Sequence, residues 1–170
     1  MRNVKKIVFV LGSLVAIYFL LTIPFLKVLQ FEQQRVENRN TYYIKVDDVK
    51  PFQIVFTHSI HLTDVIETYE IAGSKIRLLS MQYSDVAIGM PAYAEEGQTL
   101  IYEDGVYTLS YEDAVLNDFN LYIGDVDHGL TFKYEAGQFN LKELLGKGQT
   151  YNVSIQTISL LDWWKGEKLQ

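Results

Sequence analysis

Two ionisable residues stand where the hydrophobic pattern reserves no place for them. Phe52, Ile54 and Phe56 alternate with Gln53, Val55 and Thr57, the period of a strand with one buried face. The next position on that face is His58. Val65, Tyr69 and Ile71 share a second face, and its parity includes Glu67. Polar-out patterning does not put charge on such faces, and neither group is cheap to bury alone. An antiparallel pair closing around Ser59 to Asp64, with Phe56 opposite Tyr69 and Ile54 opposite Ile71, would also oppose His58 with Glu67. Three roles fit such a pair: closing the sheet end, forming the mouth of a ligand or partner site, or acid–base chemistry. The last needs the two pKa values pushed apart in a cleft, and a third group. Ser59 does not supply it, since neighbouring strand residues point to opposite faces. The expectation is therefore a structural or binding pair and not an enzyme.

Metal chemistry is the next question. His58, His61, Asp64, Glu67 and Glu70 recur every third residue, but a strand pattern divides them between two faces. His128 lies beside Asp125 and Asp127 in a segment that superficially looks like a calcium loop. The full pattern fails, because its twelfth position is Ala136. No metal and no cofactor is expected, and these acids read as a solvated turn. The absence of cysteine excludes disulfides, thiolate nucleophiles and cysteine-ligated zinc. The adjacent pair Trp163 and Trp164 fits a carbohydrate- or membrane-facing surface, but the expected arrangement is the commoner one, with one ring in the core and one on the surface. Asn152-Val153-Ser154 matches a glycosylation sequon but falls in an expected strand.

The elements that must position these residues are strands. Short apolar segments alternate with turn chemistry from Thr41 onward. Strands are expected at 52–57, 65–71, 76–81, 100–102, 107–111, 121–123, 130–134 and 151–160. Ala72-Gly73-Ser74, Glu103-Asp104-Gly105, Asp127-His128-Gly129 and Gly146-Lys147-Gly148 separate them, and the second of these is read as a hairpin turn. One short helix is expected over 140–145 with Asn140 as its N-cap. The fold class is all-β: a single sandwich or partly open barrel of seven to nine short strands, preceded by one N-terminal transmembrane helix.

That helix is read from an uncharged run between Ile7 and Leu26, long enough at about 1.5 Å per residue to span the roughly 30 Å hydrocarbon core. The run is long for a cleaved signal, and no small-x-small site follows it. Residues 1–6 form a short basic segment, 27–40 a polar stalk that continues the helix, and 41–170 the β domain. Arg2, Lys5 and Lys6 precede the run without an acid among them, which favours a cytoplasmic N-terminus and an extracytoplasmic domain on a single-pass cell-membrane anchor. Residues 1–40 hold six basic groups against Glu32 and Glu37, whereas the remainder holds nine basic and nineteen acidic groups. So acidic a domain repels a phosphate backbone, and no nucleic-acid partner is expected.

Three ordered motifs carry a family resemblance: Phe56-Thr57-His58-Ser59-Ile60, Val65-Ile66-Glu67-Thr68-Tyr69 and Ala87-Ile88-Gly89-Met90-Pro91. With His128-Gly129-Leu130 followed by Leu141 and Leu144, they make residues 42–160 similar to the bacterial domain of unknown function 1850 (DUF 1850). The sequence departs at Ala87-Ile88-Gly89, where that family usually has Gly-Ala-Gly, which implies a less tight loop. The family has no established activity. Its members have an N-terminal membrane segment and are often encoded beside the membrane component of TRAP-type transporters with a TAXI-class binding protein. The resemblance thus implies an accessory subunit that meets the transporter's membrane subunit or its solute-binding protein. It carries over His58, Ser59, Glu67, Gly89 and Pro91 as ligand- or partner-binding candidates. The alternative is a sensor domain binding a small ligand or ion in a His58/Glu67 pocket.

Overall fold

The computed structural model describes the chain apart from Met1, Val49, Ala87, Ile88 and Gln170, and for residues 2–5 it describes the backbone alone. The helix α1 (Arg2–Thr22) leads into β1 (Leu26–Gln33) and β2 (Thr41–Lys45). Then come β3 (Phe52–Thr57), β4 (Asp64–Ala72), β5 (Lys75–Tyr83), β6 (Gln98–Glu103), β7 (Val106–Leu116) and β8 (Asp118–Tyr122). The chain closes with β9 (Leu130–Tyr134), β10 (Gly137–Asn140), α2 (Leu141–Leu145), β11 (Thr150–Ile158), α3 (Leu160–Lys165) and β12 (Glu167–Lys168).

Two sheets face each other as an open sandwich, not a closed barrel. One has the order β12-β2-β1-β11-β8, the other β10-β9-β3-β4-β5-β7-β6. Alternation puts Leu29 and Phe31 of β1 and Tyr151, Val153 and Ile155 of β11 against Phe52, Ile54, Tyr69, Ile71 and Phe132 of the larger sheet. Aromatic pairs cross the gap: Phe31 meets Phe132 edge-to-face at 5.7 Å, and Tyr69 stacks on Phe119 at 5.3 Å. Ile76 and Leu78 of β5 still belong to this core, while β7 and β6 lie beyond β5 at the edge of the larger sheet. There a second cluster of Val65, Tyr83 and Leu109 is covered by Met90 from the loop between β5 and β6.

Several expectations change. The stalk over 27–40 is not a stalk: β1 pairs with β11 on one side and β2 on the other, and Val28, Leu29 and Phe31 are fully buried. The polar residues Lys27, Gln30, Glu32 and Gln33 concealed an alternation with those apolar positions. The helix stops at Thr22, short of Leu26, because Pro24 lacks the amide the next helical bond needs. Among the described residues there are twelve strands rather than seven to nine, the additional ones being β1, β2, the short β10 and the two-residue β12. Leu160, assigned to the last strand, begins α3 instead, where Ser159 and Asp162 form a capping box. The hairpin at Asp104-Gly105 joins β6 to β7 with φ of 50° and 83°, the doubly left-handed turn that suits strand twist. Asn140 caps α2 by accepting from the Lys142 amide at 3.1 Å.

Among the described residues no helix is long and apolar enough to cross a membrane. From Ile7 to Leu21 the side chains of α1 are nonetheless apolar apart from Ser13, and Phe9, Leu14, Ile17, Tyr18 and Leu20 are each more than half exposed. Trp163 is half-buried and stacks on Tyr43 at 6.4 Å, whereas Trp164 is 79% exposed.

Candidate functional site

The register of β3 and β4 separates the two residues that the patterning joined. Phe56 opposes Val65, Ile54 opposes Glu67 and Phe52 opposes Tyr69, a slide of four residues from the expected alignment. Parity survives the slide, so Glu67 still points inward between Val65 and Tyr69, but it does not face His58. The physical reason is burial: this alignment seats Val65 against Phe56 and leaves 58–63 as the connection, whereas the expected one sets Val65 opposite Ile60, off the apolar face of β3.

His58 closes that connection. Its amide donates to the Thr63 carbonyl at 2.8 Å, its carbonyl accepts from the Leu62 amide at 2.9 Å, and its Nδ1 accepts from the Ile60 amide at 3.3 Å. Its ring lies 5.9 Å from that of His61. Ser59 is exposed in the same turn. Losing a buried acceptor and its ring packing costs about 1–3 kcal/mol, so His58→Ala is expected to lower the urea midpoint by that equivalent. A variant of unchanged stability would show that these contacts do not hold the turn.

Glu67 sits where the second sheet runs out. Ile54, Phe56, Leu121, Val126 and Leu130 line a cavity of about 250 Å³ that reaches its carboxyl. His128 and Lys142 stand in the same wall. Burial in this apolar setting pushes the Glu67 carboxyl above the usual glutamate range, opposed in part by the Tyr69 hydroxyl donating to it at 2.7 Å. Burial first, and the Glu67 charge second, push Tyr69 strongly upward. Tyr111 is raised by burial and, less, by the same carboxylate. Among the described residues no ion pair reaches Glu67.

Chain-distant segments build the mouth. The Lys142 ammonium, set by the capped first turn of α2, donates to the Val126 carbonyl. The Thr57 amide donates to the Gly129 carbonyl at 3.1 Å, and a Cβ on Gly129 would lie 3.2 Å from Thr57 Oγ1, so glycine allows the 123–129 loop to close on β3. Asp127 pairs with Lys147 at 2.7 Å, which holds its carboxyl low. Patterning overlooked His128 and Lys142 as neighbours of Glu67, and no local signal marks a meeting across more than sixty residues of chain.

Gly89 is exposed with φ +89°, and the preceding Ala87 and Ile88 of its motif lie outside the described residues. The Pro91 carbonyl accepts from the Tyr83 hydroxyl at 2.5 Å. Met90 of this loop packs on the Val65–Tyr83–Leu109 cluster, and Gly89 and Pro91 do not line the Glu67 cavity. Among the described residues no group of three or more His, Asp or Glu side chains is placed to hold a metal ion.

These features define a two-sheet β-sandwich with an apolar N-terminal helix and an apolar-walled cavity that Glu67, His128 and Lys142 share. The chain belongs to the DUF1850 family, a domain of unknown function, whose family model matches residues 52–141. That stretch contains the larger sheet, β8 and the whole cavity lining except Lys142, while β1, β2 and β11 lie outside it. No curated protein and no solved structure matches the chain.

Proposed function

We propose that the protein is a membrane-anchored interaction module: α1 sits in the bilayer, and the sandwich on its extracytoplasmic face serves as an accessory subunit of a TRAP-type solute transporter. The observation that carries the anchor is the apolar surface exposed around all sides of α1, which water would penalise at about 25 cal/mol for each Å². The family resemblance supplies the class of partner, and tethering raises the domain's local concentration beside it. No catalytic step is assigned to any of these groups. Full-length protein in its native membrane should resist alkaline carbonate, and crosslinking should enrich a multi-spanning transporter subunit over abundant membrane proteins. Release by carbonate would remove the anchor. Recovery of the protein alone, under conditions that capture known complexes, would remove the partner.

A second reading, a small-ligand sensor, is favoured by the Glu67 cavity. Glu67 is the one carboxyl in a mostly apolar lining, and the Lys142 ammonium in the same wall is turned to the Val126 carbonyl, so the site complements a small organic cation with a short apolar body. The charge would pair with Glu67, and the aromatic ring of Phe56 would assist. A ligand that binds only the native state stabilises it by about 2.7 kcal/mol at a hundredfold excess over Kd. The detergent-solubilised full chain is therefore expected to melt higher with n-butylamine than with n-butanol, and Glu67→Gln should abolish the difference. Equal effects of amine and alcohol would rule this reading out.

A further inference from the structure

The C-terminal helix lies at the foot of the N-terminal one. Only residues 23–25 separate α1 from β1, and three residues reach at most about 10 Å. The Phe25 amide already donates to the Ile158 carbonyl at 3.1 Å, and Leu26 is registered with Ile158. Ile158 ends β11, and Ser159 caps α3 immediately after it. The sheet thus places α3 where the chain leaves α1, and the two helices are in contact.

The face that α3 presents is unusual for so acidic a domain. Leu160 and Trp164, four residues apart on one side of the helix, are 39% and 79% exposed, and Lys165 beside them is also exposed. The adjoining side is held firmly. Trp163 stacks on Tyr43, the Lys168 ammonium lies 5.2 Å from the Trp163 ring centre, and a methyl at Gly166 would collide with the Tyr43 ring. The exposed tryptophan is therefore aimed by the fold and is not a loose terminus. An amphipathic ring flanked by lysine is the chemistry of the membrane–water interface.

We propose that α3 is an interfacial foot: Leu160 and Trp164 seat in the headgroup layer of the bilayer that holds α1 and so fix the tilt of the sandwich on the membrane. This inference rests on the anchor reading. Its occupant is lipid rather than protein because the short connection leaves α3 no position away from the surface that α1 enters.

The chain has only two tryptophans, 163 and 164, so tryptophan emission reports on this helix alone. Full-length protein is placed in phosphatidylcholine nanodiscs whose acyl chains are brominated either near the headgroup or near the chain end. Trp163→Phe, which keeps a ring on Tyr43, is expected to lose most of its remaining emission to the shallow bromines and little to the deep ones. Trp164→Phe should be quenched by neither. Unquenched Trp164 in a chain that resists carbonate would overturn the foot while leaving the anchor intact. A chain that carbonate strips from the bilayer would overturn both.

Discussion

A fragment beginning at Thr41 is expected to be unfolded, whereas one beginning at Pro24 folds. A boundary at residue 41 looks natural from composition, yet it removes β1 from the middle of the smaller sheet, between β2 and β11. Val28, Leu29 and Phe31 are each fully buried in that strand. Burying one such side chain stabilises by about 1.5–3 kcal/mol, so their joint loss is comparable with the whole net stability of a domain, about 5–15 kcal/mol. β2 and β12 would lose their link to the rest of the sheet, and Phe132 its edge-to-face partner Phe31. Far-UV circular dichroism and thermal melting of the two fragments decide the matter. A cooperative transition in the 41–170 fragment would show that β1 is dispensable.

Stability should fall as pH rises through the range just above that of an ordinary glutamate, and Glu67 should be the cause. Its carboxyl is raised by burial above the ordinary glutamate value of 4.5. Across the interval from there to its native value the folded state keeps a proton that the unfolded chain has released. The native state then binds more protons, so the slope of stability against pH is negative, approaching about 1.4 kcal/mol for each pH unit. Below the interval the stability is fully present; above it the loss is complete. Glu67→Gln keeps the shape and the amide can still accept from Tyr69, so it should flatten this limb and be the more stable protein at neutral pH. Asp127 and Asp162 act in the opposite sense, since their hydrogen bonds hold their carboxyls low and are lost as pH falls. They are common to both proteins and cancel in the comparison. Urea unfolding of the pair at several pH values measures the difference. Parallel curves would mean that Glu67 is solvated in the native state.

Both results bear on how such a cavity is kept. A charge in an apolar wall without an ion-pair partner lowers stability, and a purely structural role would be served as well by glutamine or leucine. If Glu67→Gln raises stability and removes the response to a small amine, the carboxyl is held at a cost that only binding offsets. If it raises stability and the wild type responds to nothing, the cavity is a packing defect where one sheet outruns the other.

Local chemistry was legible in the residues themselves. Alternation located β3, β4, β7 and β9, Asp104-Gly105 placed a hairpin, and Asn140 placed the start of α2, because period and turn conformation depend only on near neighbours in the chain. The inward parity of Glu67 was legible for the same reason. Tertiary structure alone decided the rest. The residues between Leu26 and Gln33 read as a polar stalk because their strand identity comes from two partners, one of them more than a hundred residues away in β11. The slide that parted His58 from Glu67 preserved parity, so no pattern within either strand could detect it; the burial of Val65 against Phe56 selected it. His128 and Lys142 reach the Glu67 cavity, and Trp164 the foot of α1, because sheet pairing carries segments together that share no local signal.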